Sequence, residues 1–190
     1  MQAENIWRAD VQQCVFRDLV EIFSRPGKVQ DLASCNDLAI AHYAVLASLL
    51  DGETTLADPH SLLVNADWPL FQARQVSTDN ARFIVVDGQR APDFKPALGT
   101  LASPEFGATI VMKVEALGRG PLTMTLQGPG IPARRELRVA GLHVDWLQQR
   151  ANWVSGFPLG VDIILCTSTR IAALPRTTRI AFTSIAEGAE

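Results

Sequence analysis

The sequence predicts an α/β domain in three layers, a mixed sheet covered by helices on both faces. Three observations lead there. Segments with apolar residues at helical spacing alternate with β-branched runs. Two of those runs, Arg82–Asp87 (RFIVVD) and Val161–Cys166 (VDIILC), are apolar on successive positions, as in strands buried on both faces. And 190 residues without a composition shift fit one domain, residues 1–190, with one core.

The elements follow in order. Trp7, Val11, Cys14, Val15, Leu19, Ile22 and Phe23 recur at steps of three and four, the stripe of an amphipathic helix. Ser24-Arg25-Pro26-Gly27 stops it. A short strand is expected over Lys28–Leu32. Asn36 is placed to cap a helix from Asp37 to about Leu50, apolar nearly all round and therefore buried. Thr54–Ala57 reads as a strand. Asp67–Gln75 reads as a helix with Pro69 in its first turn, where a missing N–H costs nothing.

In the second half, Ala108–Leu117 reads as one strand. Gly118, Gly120 and Pro121 form a turn before a second strand, Leu122–Leu126, and Arg134–Val139 is a third. His143–Trp153 is a helix whose inner face takes Val144, Leu147, Trp146 and the stem of Arg150. Thr167–Thr169 turns Val161–Cys166 into an antiparallel return, Ile171–Leu174. The chain then finishes in PRTTRI and a polar tail.

Composition excludes several classes. Hydrophobic residues make up 47% and charged residues 19%, and the formal charge is −3. That is the balance of a folded soluble domain, not of a nucleic-acid binder with a basic excess. No run approaches the ~20 apolar residues of a membrane span, and MQAENIWRADVQQ has no apolar leader segment. Cys14, Cys35 and Cys166 are odd in number, widely spaced and set among apolar neighbours. They read as buried free thiols of a reducing cytoplasm. No Cys/His spacing fits a metal site. The phosphate loop, the GxGxxG turn, HExxH and GxSxG are all absent. His42, His60 and His143 are scattered.

Two features invite chemistry. Asp162 stands in an otherwise apolar strand. A buried carboxylate is expensive unless paired or hydrogen-bonded. It therefore points outward at the strand end or has a partner, an arginine or several backbone N–H groups. It either pins the FPLG turn or belongs to a ligand or partner site. The second is Pro175-Arg176-Thr177-Thr178-Arg179. Two guanidinium groups and two hydroxyls suit an anion, since arginine binds phosphate through paired charged hydrogen bonds. They equally suit an exposed strand. Arg25, in SRPG, has the same two readings. Arginines number 14 and lysines three. Lys28, Lys95 and Lys113 follow a turn, sit in a proline-rich loop and alternate with apolar strand residues, respectively. None has the desolvated or cationic setting that an aldimine-forming lysine needs.

FRDLVEIF-SRPG, the GATIVMKVE strand, the GPGI turn, and above all GFPLGVDIILC followed by ALPRTT, together resemble the PhnH family of the bacterial carbon–phosphorus lyase system. The likeness spans nearly the whole chain and is poor over residues 54–80. It implies phosphonate catabolism. PhnH proteins act with PhnG, PhnI and PhnL to attach the ribose triphosphate of ATP to methylphosphonate, releasing adenine, upstream of the radical enzyme PhnJ. The resemblance implies a homodimer within a core complex of PhnG, PhnH, PhnI and PhnJ. It also implies a fold like the large domain of pyridoxal-phosphate-dependent transferases without their catalytic lysine, no cofactor, and no assigned catalytic residue. The chain is expected to be a transferase-complex subunit without activity alone. The alternative is an independent phosphonate- or phosphate-binding protein, or a small-molecule transferase. The candidate ligand or partner residues are Arg25, Asp162, Arg176, Thr177 and Thr178.

Overall fold

The β-branched runs form the centre of a seven-stranded sheet. In the computed structural model, which describes residues 5–35 and 40–184, β1 (Gln30–Asp31), β2 (Thr55–Ala57), β3 (Arg74–Gln75), β4 (Phe83–Asp87), β5 (Thr109–Lys113), β8 (Asp162–Cys166) and β9 (Arg170–Leu174) lie in the order β1-β9-β8-β5-β4-β2-β3. The strands β8, β5, β4, β2 and β3 run parallel, and β9 and β1 add antiparallel at one edge. The sheet is mixed, as expected. The remaining strands, β6 (Ala116–Gln127), β7 (Arg135–Ala140) and β10 (Arg179–Ser184), form a separate antiparallel sheet in the order β10-β6-β7.

Alternation of side chains along the strands divides the core in two. Val85, Val111, Ile164, Cys166, Ile171 and Ala173 face one side, with the helices α1 (Ala9–Ser24), α2 (Ala41–Leu49) and α3 (Trp68–Phe71). Ile84, Val86, Ile110, Met112, Ile163 and Leu165 face the other. The architecture is three-layered, but helices alone do not cover both faces. The second face is closed by the small sheet, through Leu122, Met124, Leu126, Leu137 and Val139, and by one helix, α4 (Asp145–Trp153), through Trp146, Leu147 and Trp153. Strand residues alternating in β6 and β7 present an apolar face that serves as well as a helix stripe.

Helix α1 buries Val11, Val15, Leu19 and Ile22, the stripe read from the sequence. It stops where Gly27 adopts φ +75°, donates its N–H to the Ala173 carbonyl (3.1 Å), and lies so close to Leu126 that a Cβ would collide with it. Only glycine meets both demands. Seven consecutive residues of α2, Ala41–Ala47, are buried. The expected Asn36 cap and the start of that helix at Asp37 lie outside the described residues.

Four expectations need correction. The run Ala108–Leu117 is two strands, because the chain leaves the large sheet after Lys113 and enters the small one at Ala116. Gly118 and Gly120 make no turn. They lie inside β6 at φ +84° and +135°, where the register shifts between Leu117 and Leu122, and the irregularity absorbs the positive φ angles. The helix expected over Asp67–Gln75 is a single turn, α3, followed by β3. The polar end after PRTT pairs with β6 as β10 from Arg179 to Ser184.

Cys14 and Cys35 are also not free thiols. They form a disulfide with a Cα–Cα distance of 5.5 Å. The chain reverses after α1 and the short turn Leu32–Ser34 returns Cys35 beside the helix, a meeting no local spacing announces. Cys166 is free and buried as expected, and burial pushes its thiol pKa up. Among the described residues no helix is long and apolar enough to cross a membrane.

Candidate functional site

Asp162 opens β8, beside Thr109 of β5. Arg176 stands in the turn that follows β9, the antiparallel neighbour of β8. The hairpin thus brings the two residues back together. Asp162 Oδ1 accepts the backbone N–H of Arg176 at 2.7 Å, and Oδ2 accepts Nε at 3.1 Å and Nη2 at 2.7 Å. Nη1 of Arg176 donates to the carbonyls of Pro104 (2.7 Å) and Pro158 (3.4 Å). The side chains are 14% (Arg176) and 19% (Asp162) exposed. A guanidinium fork meeting a carboxylate in this way is a strong, directional pair. Here it ties four segments together: the start of β8, the PRTT turn, the Pro104 turn and the FPLG loop.

Gly107 makes room for this arrangement. A Cβ there would strike the Gly160 carbonyl and lie 2.9 Å from Arg176 Nη1. Arg82 donates Nη1 to the Gly107 carbonyl at 2.8 Å. Its pKa is lowered by burial and by the like charge of Arg176, with Asp162 and Glu105 offsetting part of the effect.

The residue that sequence reading passed over is Arg150. It is 3% exposed and donates Nη2 to the Pro175 (2.6 Å) and Thr178 (3.0 Å) carbonyls, bracing the PRTT turn from α4. Its place on the inner face of the helix was legible, three and four residues after Leu147 and Trp146. Its buried charge was not. Beside it runs an open groove of about 560 Å³, whose lining includes Arg150, Arg176, Thr177, Thr178 and Arg179.

The structure therefore brings Asp162, Arg176, Thr177 and Thr178 to one end of the molecule. Arg25 stands apart from that cluster. Its guanidinium pairs with Glu21 at 2.7 Å, and its carbonyl accepts Arg135 Nη1 at 3.0 Å. The Gly128-Pro129-Gly130 turn lies between the two regions, Gly128 against the Thr177 carbonyl and Gly130 against that of Ser24.

The carboxyl ends of the parallel strands, where open α/β sheets usually hold ligands, are at the opposite end of the sheet from Asp162. There His60 Nδ1 accepts the Asp87 N–H at 2.9 Å, and a cavity of about 320 Å³ is lined by Glu115, Arg119, Thr167 and Arg170, among others. Among the described residues one trio, Cys14, Asp18 and Cys35, clusters within metal-ligand reach, but its two sulfurs are bonded to each other. Lys28 pairs with Glu21 at 2.8 Å, and Lys95 and Lys113 are exposed.

Fold and site together define an α/β domain whose polar cluster is a braced turn rather than a recognisable set of nucleophile and base. Comparison with known proteins supplies the class. The family described as bacterial phosphonate metabolism protein (PhnH) matches over residues 4–181. A C-P lyase subunit protein, HtxG, of Stutzerimonas stutzeri is 43% identical over 178 residues, 94% of this chain and 90% of its own length. The alpha-D-ribose 1-methylphosphonate 5-triphosphate synthase subunit PhnH of Rhizobium meliloti is 32% identical over 179 residues, 88% of this chain and 89% of its own. The chain belongs to the PhnH family of bacterial phosphonate metabolism proteins, and one of these relatives carries the name of a C-P lyase subunit.

Proposed function

We propose that this chain is a non-autonomous subunit of a carbon–phosphorus lyase core complex, helping to transfer the ribose triphosphate of ATP to methylphosphonate with release of adenine. The likeness along nearly the full length of a C-P lyase subunit carries this reading. The synthase named for the Rhizobium relative supports the reaction. The role is a scaffold or one wall of a composite pocket formed with PhnG, PhnI, PhnJ or PhnL. The arrangement around Asp162 and Arg176 supports it. The Asp162 carboxylate is taken up by the backbone N–H and guanidinium of Arg176, and Arg176 also donates to the Pro104 carbonyl, so they present a shaped PRTT turn rather than a free acid or base.

The functional unit in this reading is a homodimer in the cytoplasm. Phe16 and Val20 on the outer side of α1 are 50% and 52% exposed, apolar surface that a second subunit would cover. The kinship with the large domain of pyridoxal-phosphate-dependent transferases belongs to the same reading. The parallel centre of the sheet supports it, and the exposed or paired lysines argue against an aldimine.

Co-expression with the other lyase subunits, followed by affinity purification through one of them, tests the assignment. The chain is expected to co-purify in constant ratio. A chain that stays behind while the other subunits assemble without it contradicts the reading.

A further inference from the structure

Arg150 is a cation taken out of water without a counter-ion. None of the ion pairs among the described residues includes it. The nearby carboxylate, Asp162, is already bound by Arg176. Burial pushes the Arg150 pKa down to about 10, and Asp162 offsets only part of that. Its Nε and the Thr178 hydroxyl are buried and have no hydrogen-bond partner among the described residues. Both residues line the groove of about 560 Å³ between α4 and the PRTT turn. Unpaired buried polar groups are rare in folded proteins, and an unpaired buried charge rarer still. Both residues border one groove, and the Arg150 charge there is met only by the Pro175 and Thr178 carbonyls among the described residues.

The lining indicates what fits there. Among the described residues it contains three arginines and no aspartate or glutamate. With Arg176 neutralised by Asp162, a net positive charge remains on Arg150 and Arg179. The rest of the lining is largely apolar, including Phe157, which is 65% exposed, and Phe182. We propose that this groove binds a small organic molecule carrying a phosphoryl or phosphonyl group. The anionic oxygens meet the Arg150 end beside Thr178, and the organic part lies against Phe157 and Phe182. Arginine with hydroxyl donors is suited to a multiply charged tetrahedral anion. The choice of phosphorus over a carboxylate rests on the proposed place in phosphonate metabolism; the buried cation and the groove do not.

Calorimetric titration of the full chain with inorganic phosphate, methylphosphonate, phenylphosphonate and benzoate tests the site. Saturable binding of one phenylphosphonate per chain is expected, at least threefold tighter than inorganic phosphate, with benzoate weaker than either. Thr178→Val removes a hydroxyl that has no partner among the described residues, so its melting temperature is expected to stay level or rise while phosphonate affinity falls at least fivefold. Arg150→Met is expected to lower affinity at least 50-fold. If Arg150→Met does not fold, Thr178→Val decides. Absence of saturable binding to the unsubstituted chain, or equal affinity in folded Thr178→Val, overturns the site. Benzoate binding as tightly as phenylphosphonate overturns the phosphorus preference. Loss of binding with co-purification intact removes the groove alone, and loss of co-purification with binding intact removes the subunit reading alone.

Discussion

Arg176 holds the carboxylate of Asp162 from three directions, with its own backbone N–H, Nε and Nη2. The turn that carries the arginine is thereby fixed to the strand that carries the acid. Removing either partner strands the other in a largely dry setting, which costs more than the net worth of the pair. Asp162→Asn is expected to destabilise the chain by about 2–4 kcal/mol, and Arg176→Met by a similar amount. The double variant is expected to lose clearly less than the sum. Urea unfolding of the four proteins measures the coupling, and additive losses would show that the pair is not a unit.

Gly107 is a packing requirement of the same cluster. Gly107→Ala places a methyl group against the Gly160 carbonyl and Arg176 Nη1, and backbone cannot yield cheaply. A loss of about 2–3 kcal/mol is expected, read as a lower urea midpoint at unchanged slope. Gly52→Ala, with open space around the new methyl, is expected to be neutral within ~0.5 kcal/mol.

Acid sensitivity has a specific source. Burial, reinforced by the charge of Lys113, lowers the His42 pKa to about 4. The unfolded chain binds a proton near pH 6.5 that the folded chain refuses until about pH 4. The stability from His42 is therefore complete above 6.5 and is lost as pH falls from there toward 4, by about 3 kcal/mol in all. His60 shifts in the same direction, chiefly through burial. Unfolding free energies at pH 7.5 and 5 are expected to show the decline, and His42→Gln to flatten part of it. An unchanged slope in that variant would assign the effect elsewhere.

Much of this was legible in the sequence. The stripe Val11, Val15, Leu19 and Ile22 fixes α1, and FIVVD and DIILC fix central strands, because side-chain periodicity is a local property. Asp162 was conspicuous because an acid in an apolar strand demands an explanation. Its partner was not determined, since an arginine 14 residues away meets it only through the β8–β9 hairpin. Gly118 and Gly120 misled because positive φ serves a bulge as well as a turn. β10 was missed because only Ile180 and Phe182 of Arg179–Ser184 turn a large apolar side chain to the core, an alternation too short to stand out, and the Cys14–Cys35 meeting depends on two chain reversals.

The disulfide has a direct readout. Denatured without reductant, the chain is expected to expose one titratable thiol, Cys166, and three after reduction. Cys14→Ser is expected to lower stability under oxidising conditions by about 3 kcal/mol and to change little under reducing ones. Three thiols before reduction would show that the bond does not persist in solution.

The reading as a non-autonomous subunit is tested most directly by adenine release from ATP in the presence of methylphosphonate. The purified chain alone is expected to release none. The partner subunits with this chain are expected to release adenine steadily, and the partners without it to fall to background. Adenine release by the chain alone, or undiminished release by the partners in its absence, would contradict the account.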